Sequence, residues 1–187
     1  DYGVPLTILS MDLNADFSVI EMGANHPQEI AYLTHIAKPD VAMITNAGPV
    51  HLEGFKSIQG VAESKGEIFQ GLNENGIAVI NADDDFSDYW IALNTGTRYL
   101  TFGLDASADV YISDIQYQKD NASVFKLHTL QGEVKVHLSL LGEHNIHNAL
   151  AAACIGVALE VPLNQIKAGL EKSIAVDQRF VERTTQV

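Results

Sequence analysis

The chain has 187 residues, 47% of them hydrophobic, and sets 24 acidic against 11 basic side chains for a formal net charge of −13. That length supports one well-buried domain with a small subdomain attached, and the acidic field, with no cluster of Lys and Arg along the sequence, excludes nucleic acid as a partner. An anionic small ligand would need a metal or a few focused cations to offset the field.

No apolar run approaches the ~20 residues needed to cross a bilayer, so no membrane span is expected. The single Cys154 excludes an internal disulfide and a multi-Cys metal site, and fits a reducing cytoplasm. The opening Asp-Tyr-Gly-Val-Pro has no initiator Met, basic region or apolar signal core, so a fragment is expected.

Residues Pro5 to Leu13 read as the remainder of a helix, and Phe17 to Met22 as a short apolar strand with Glu21 near its end. Gly23 and Ala24 turn the chain, Pro27 suits a first helical position, and Ile30, Ala31, Leu33, Ile36 and Ala37 give a stripe that stops before Pro39. Val41 to Thr45 predicts a second strand, ending in Asn46 and a loop to His51. From a Ser57 cap, Ile58, Val61, Ala62, Ile68, Phe69 and Leu72 form a helical stripe with Lys65 in its middle. A cation there either snorkels out along its stem or sits in a pocket where its pKa falls and its neutral amine becomes reactive.

Gly76 introduces a strand from Ile77 to Ile80, which runs into Asn81, Asp83, Asp84 and Asp85, and another short strand surrounds Arg98 to Phe102. Strands alternating with helices at this spacing predict an α/β fold, a mostly parallel sheet flanked by helices. Ligands bind beyond the carboxyl ends of such strands, where this chain places Glu21, then Asn46 with His51, then Asn81 with Asp83. The acidic run from Asp83 to Asp85 also suits an ordinary turn. Glu21, by contrast, would be a carboxylate inside an apolar strand, which is costly without a partner.

The period then changes to alternation. Val110 to Tyr117, Phe125 with Leu127, and Val134 to Leu140 predict a small three-stranded antiparallel sheet, with turns at Lys119 to Asn121 and at Gln131-Gly132. His128 and His137 fall on its polar face and read as surface residues. Asn145 could cap the Ala-rich helix that follows, with Asn148 one turn on, and a second helix capped near Asn164 runs through Ile166 to Leu170.

Glu21, His51 and Lys65 can converge at one rim of the parallel sheet. A carboxylate and an imidazole suit a divalent ion such as Mg²⁺. A lysine ammonium repels one, unless its neutral amine has reacted with carbon dioxide to give a carbamate, an anionic oxygen ligand. The residues alone leave that role and a structural lysine both open.

Four stretches then carry a resemblance: Val-Ile-Glu-Met-Gly-Ala-Asn-His-Pro-Gln-Glu-Ile, Thr-Asn-Ala-Gly-Pro-Val-His-Leu-Glu-Gly-Phe, Ser-Lys-Gly-Glu-Ile-Phe and Gly-Glu-His-Asn-Ile-His-Asn-Ala-Leu-Ala-Ala. In order and spacing they resemble the central, ATP-binding domain of the Mur ligases, which extend the nucleotide-linked peptide precursor of bacterial peptidoglycan. The chain looks most like the member that adds D-alanyl-D-alanine to UDP-N-acetylmuramoyl-tripeptide; another Mur ligase, a folylpolyglutamate synthetase or a non-catalytic scaffold of the same fold are the alternatives.

The resemblance implies that Glu21, His51 and a carbamylated Lys65 bind Mg²⁺, that Lys65 and His51 serve catalysis, that Asn145 and Asn148 lie near the adenine of ATP, and that Arg179 contacts the nucleotide. It further implies a cytoplasmic enzyme that phosphorylates a peptide carboxylate with ATP and lets an amine displace the phosphate from the acyl phosphate. Residues 1–176 would be the central domain without its first strand and phosphate loop, and 177–187 a hinge toward a C-terminal domain. No Gly-x-x-x-x-Gly-Lys-Ser/Thr occurs, and the hinge Val-Asp-Gln-Arg-Phe lacks the usual glycine before its arginine. The chain alone, without the N- and C-terminal domains, is therefore expected to be inactive as a ligase and to bind ATP weakly.

Overall fold

The computed structural model describes residues 3–49, 52–118, 122–140 and 142–173. Short apolar segments build its first sheet. Strands β1 (Val41–Ile44), β2 (Ile77–Asn81) and β3 (Arg98–Phe102) lie side by side in that order and all parallel, with Val41 opposite Ile77 and Ile77 opposite Arg98. The central strand β2 is buried along its whole length, as a strand covered on both faces must be.

Its side chains alternate between two cores. Ile77 and Val79 pack with helix α6 (Glu143–Ala158) and α7 (Leu163–Glu171), whereas Ala78 and Ile80 pack with Ala62, Phe69 and Trp90 on the opposite face. That second face is covered by α4 (Ile58–Gly66), the 3-10 turn Glu67–Gly71 and α5 (Ser87–Leu93). Trp90, fully buried, donates from Nε1 to the Ala62 carbonyl at 3.0 Å and so fixes α5 to α4.

A parallel bridge from Phe102 to Val110 leads into the antiparallel sheet of β4 (Tyr111–Tyr117), β5 (Ser123–Thr129) and β6 (Gly132–Leu138). Phe125, Leu127, Val136 and Leu138 face inward and join Ile146, Leu150 and Cys154 of α6 in the first core. One helix thus serves both sheets. Ser57 caps α4 as its sequence implies, accepting from the Gly60 amide at 3.0 Å.

Several sequence expectations need correction. Phe17 to Met22 forms no strand, because no neighbouring strand among the described residues offers it hydrogen bonds; Val19 stays 95% exposed and Glu21 is exposed rather than buried in a strand. The first helix, α1 (Gly3–Ser10), ends at Ser10 instead of Leu13. Helix α2 (Glu29–Ala37) begins two residues after Pro27, since Gln28 holds a left-handed φ of 72°. Gly142, not Asn145, precedes α6, and Pro162, not Asn164, precedes α7. Helices α3 (Leu52–Phe55) and α5 were absent from the sequence reading. His128 is partly covered, its ring stacked on Tyr111 with centroids 4.4 Å apart, while His137 is exposed as expected. The turn at Lys119 to Asn121 lies outside the described residues.

A buried carboxylate locks α2 onto the element after α4. Glu67 accepts from the Gln28 amide at 2.8 Å and from the Ala31 amide at 3.1 Å, satisfying donors that the first turn of a helix leaves unpaired. Thr34 adds a 2.8 Å bond to the Ile68 carbonyl.

Candidate functional site

The carboxyl ends of β1 and β2 are bound into one rim by the residues that follow them. Asn81, at the end of β2, donates to the Thr45 carbonyl at 2.7 Å. Asp84 accepts from the Ala47 amide at 2.8 Å with one carboxylate oxygen and from the Phe86 amide at 2.9 Å with the other. Both contacts hold the loop after β1 against the loop after β2.

Lys65 reaches the same rim from the last turn of α4. Its Nζ donates to the Asn46 carbonyl at 2.5 Å. Burial lowers its pKa below the ordinary 10.5, and the nearby Asp84 carboxylate pulls in the opposite direction. Of the two sequence readings of Lys65, the geometry has features of each: the amine is partly desolvated, yet it ends on the backbone carbonyl of Asn46, an exposed residue.

The first turns of α6 meet this rim from the side. Asp83 accepts from the Leu104 amide at 2.9 Å, just past the end of β3, and lies 3.7 Å from Nδ1 of His147. His147 stands between Asn145 and Asn148, whose side chains are 3.5 Å apart. The two asparagines are therefore on one side of the helix, at the end that adjoins β2 and β3.

Glu21 lines a groove of about 490 Å³ with Val4, Thr7, Asn25, Glu29 and Leu33, a lining that does not include Lys65. The chain just beyond Glu21 is close to α3: a Cβ added to Gly54 would stand 2.0 Å from the Asn25 carbonyl oxygen, so only glycine permits this approach. His51 and Arg179 lie outside the described residues. Among the described residues no group of three or more His, Cys, Asp or Glu converges as a metal site.

Sequence reasoning passed over Asp84 as one of three turn-forming acids. Its position one residue past Asp83 was visible, but only the fold shows that Asp83 faces α6 while Asp84 faces the β1 loop and Lys65. Glu67 is a second such residue: a glutamate beside the apolar Ile68 and Phe69 is a sequence sign of a buried partner.

The family model of the Mur ligase middle domain matches residues 1–156. A UDP-N-acetylmuramoyl-tripeptide–D-alanyl-D-alanine ligase from Buchnera aphidicola subsp. Baizongia pistaciae is 43% identical over 168 residues, which are 90% of this chain and 36% of that protein. Among solved structures, MurF from Acinetobacter baumannii superposes with a TM-score of 0.87 at 34% identity, covering 93% of this chain and 38% of the other. MurF ligase from Thermotoga maritima in complex with ADP gives 0.77 at 30% identity, over 94% and 40% of the two chains. The chain spans 36 to 40% of the length of three curated relatives that it matches. No helix among the described residues is long and apolar enough to cross a membrane.

Proposed function

The chain belongs to the Mur ligase family, as its middle domain, and we propose that it forms the ATP-binding part of a cytoplasmic ligase that joins D-alanyl-D-alanine to UDP-N-acetylmuramoyl-tripeptide. The observation that carries this reading is the shared rim: Lys65, Asn46 and Asp84 at the ends of β1 and β2, adjoined by the α6 turns that bear Asn145 and Asn148. This is the edge of a parallel sheet at which nucleotides are bound.

In this reading Asn145 and Asn148 offer amide groups to the adenine, and Arg179 reaches the nucleotide from the segment after α7. Glu21, His51 and Lys65 would hold Mg²⁺, Lys65 as its carbamate. Partial burial raises the share of neutral amine, the form that reacts with carbon dioxide. The metal would supply charge neutralisation for the transferring phosphoryl group. Asp84 and Asn81 keep the two strand-end loops in register, so the groups that bind nucleotide and metal keep their spacing.

The test uses the intact ligase that contains this chain. Lys65→Ala should abolish release of ADP that depends on both D-alanyl-D-alanine and the nucleotide-linked tripeptide, and formate or acetate should restore part of it by supplying the missing anionic oxygen. Full activity without added carboxylate would remove the carbamate from the mechanism. Absence of tripeptide-dependent ADP release in the unsubstituted enzyme would remove the substrate assignment. For the chain by itself, calorimetry with Mg²⁺ is expected to show weak ATP binding or none, because the Gly-Lys-Thr phosphate loop is not in this sequence.

A further inference from the structure

The antiparallel sheet turns its polar face away from α6, and that face gathers cations that are scattered in the sequence. Pairing places Lys126 directly opposite Lys135, and Val124 opposite His137, so Lys126, Lys135 and His137 project from one side. Like charges directly opposite across two strands are destabilising unless something offsets them. Lys126 has an offset, since its Nζ lies 3.2 Å from Glu133, which also lies 3.4 Å from the His128 ring. Lys135 is exposed and has no ion-pair partner among the described residues.

Helix α7 adds a third lysine. Beside β6 it forms a groove of about 630 Å³ lined by Gln116, Gln118, Lys135, His137, Lys167 and Glu171. Glu171 is already engaged: one of its oxygens accepts from the His137 amide at 3.0 Å and lies 3.8 Å from the Lys167 ammonium. Among the described residues Lys135 is left as the uncompensated charge, with the Gln116 and Gln118 amides as neutral donors nearby. In a chain of net charge −13, a groove with two lysines and one committed carboxylate is a local reversal of sign.

We propose that this groove binds a small phosphate-bearing anion. Its volume is within the range of small-molecule sites. Lysine ammoniums act as point charges suited to a tetrahedral phosphate, whereas planar carboxylates are matched by the arginine fork, which is missing from the lining. The groove belongs to the antiparallel sheet, apart from the Lys65 rim of the parallel one.

The test is an amide-resolved NMR titration of the isotopically labelled chain with inorganic pyrophosphate at low ionic strength. Saturable shifts are expected at Gln116, His137 and Lys167, weakened when salt is raised. Lys135→Glu should reduce affinity about tenfold or more, Lys135→Gln and Lys167→Gln by less, while Lys38→Glu, the same charge change on exposed chain far along the sequence, should leave it unchanged. Retained spectral dispersion in each variant shows that the fold is intact. The proposal is overturned by shifts that rise without saturating, by saturable shifts confined to residues around Lys65, or by equal affinity in the Lys135→Glu and Lys38→Glu variants.

Discussion

Lys65 donates to the carbonyl of Asn46, nineteen residues earlier in the chain, so a side chain from α4 closes over the end of β1. The bond places an ammonium where burial disfavours its charge, with Asp84 as the nearest compensation. Because the folded-state pKa is below 10.5, the native state holds fewer protons than the unfolded chain between the lowered value and 10.5. Stability therefore rises with pH through that window, and the penalty is in full force below it. Lys65→Met keeps the stem without the charge. Its urea midpoint at neutral pH should equal or exceed that of the parent, and the alkaline rise should vanish. A loss above about 1 kcal/mol would show that the Asn46 bond outweighs desolvation.

Glu67 gives a prediction of the opposite sign. Its carboxylate is 6% exposed and satisfies the amides of Gln28 and Ala31, so Glu67→Ala leaves both donors buried without an acceptor. The expected cost is about 3 kcal/mol in urea denaturation. Glu67→Gln should lose less, since an amide oxygen can still accept one of the two bonds.

The same junction cannot admit a methyl group. A Cβ at Gly71 would be 2.4 Å from the carbonyl carbon, the carbonyl oxygen and Oγ1 of Thr34 alike. Gly71→Ala should destabilise by about 3 kcal/mol. Adding Thr34→Ala should not restore stability, because two of the three clashing atoms are backbone. Recovery in the double variant would mean that the side chain alone sets the contact.

Cys154 is fully buried between α6 and the sheets, and burial, reinforced by Asp109, pushes its thiol up to about 12 from 9.0. Dithionitrobenzoate at pH 8 should leave it unmodified in the native chain and label one thiol per chain in urea. The raised value also stabilises the fold fully below 9.0, and that contribution is lost as pH climbs toward about 12. A fast native-state reaction would place the sulfur at the surface.

Much of the architecture could be read from periodicity alone. The apolar runs read as strands at Val41 to Thr45 and Ile77 to Ile80 match β1 and β2 to within one residue at their ends, and the alternation of Phe125 and Leu127 with Lys126 and His128 marks a sheet with one wet face. The cap at Ser57 is a local hydrogen bond three residues long in sequence, so it too was legible. Phe17 to Met22 shows where such reading stops. Its residues favour a strand, but a strand exists only when a neighbour supplies hydrogen bonds, and propensity carries no information about the neighbour.

By itself the sequence determined the parallel and antiparallel sheets, the kinship to Mur ligases, and the choice of Lys65 as the residue to watch. Only the tertiary structure decided which groups meet it. Separations of 19 residues from Lys65 to Asn46, 37 from Asp84 to Ala47 and 39 from Glu67 to Gln28 are bridged by folding and leave no local pattern. Cross-strand register likewise set Lys126 against Lys135 and brought α7 alongside, turning cations with no cluster in the sequence into one face. Local chemistry fixes elements, whereas sites depend on the long-range packing that brings their ends together.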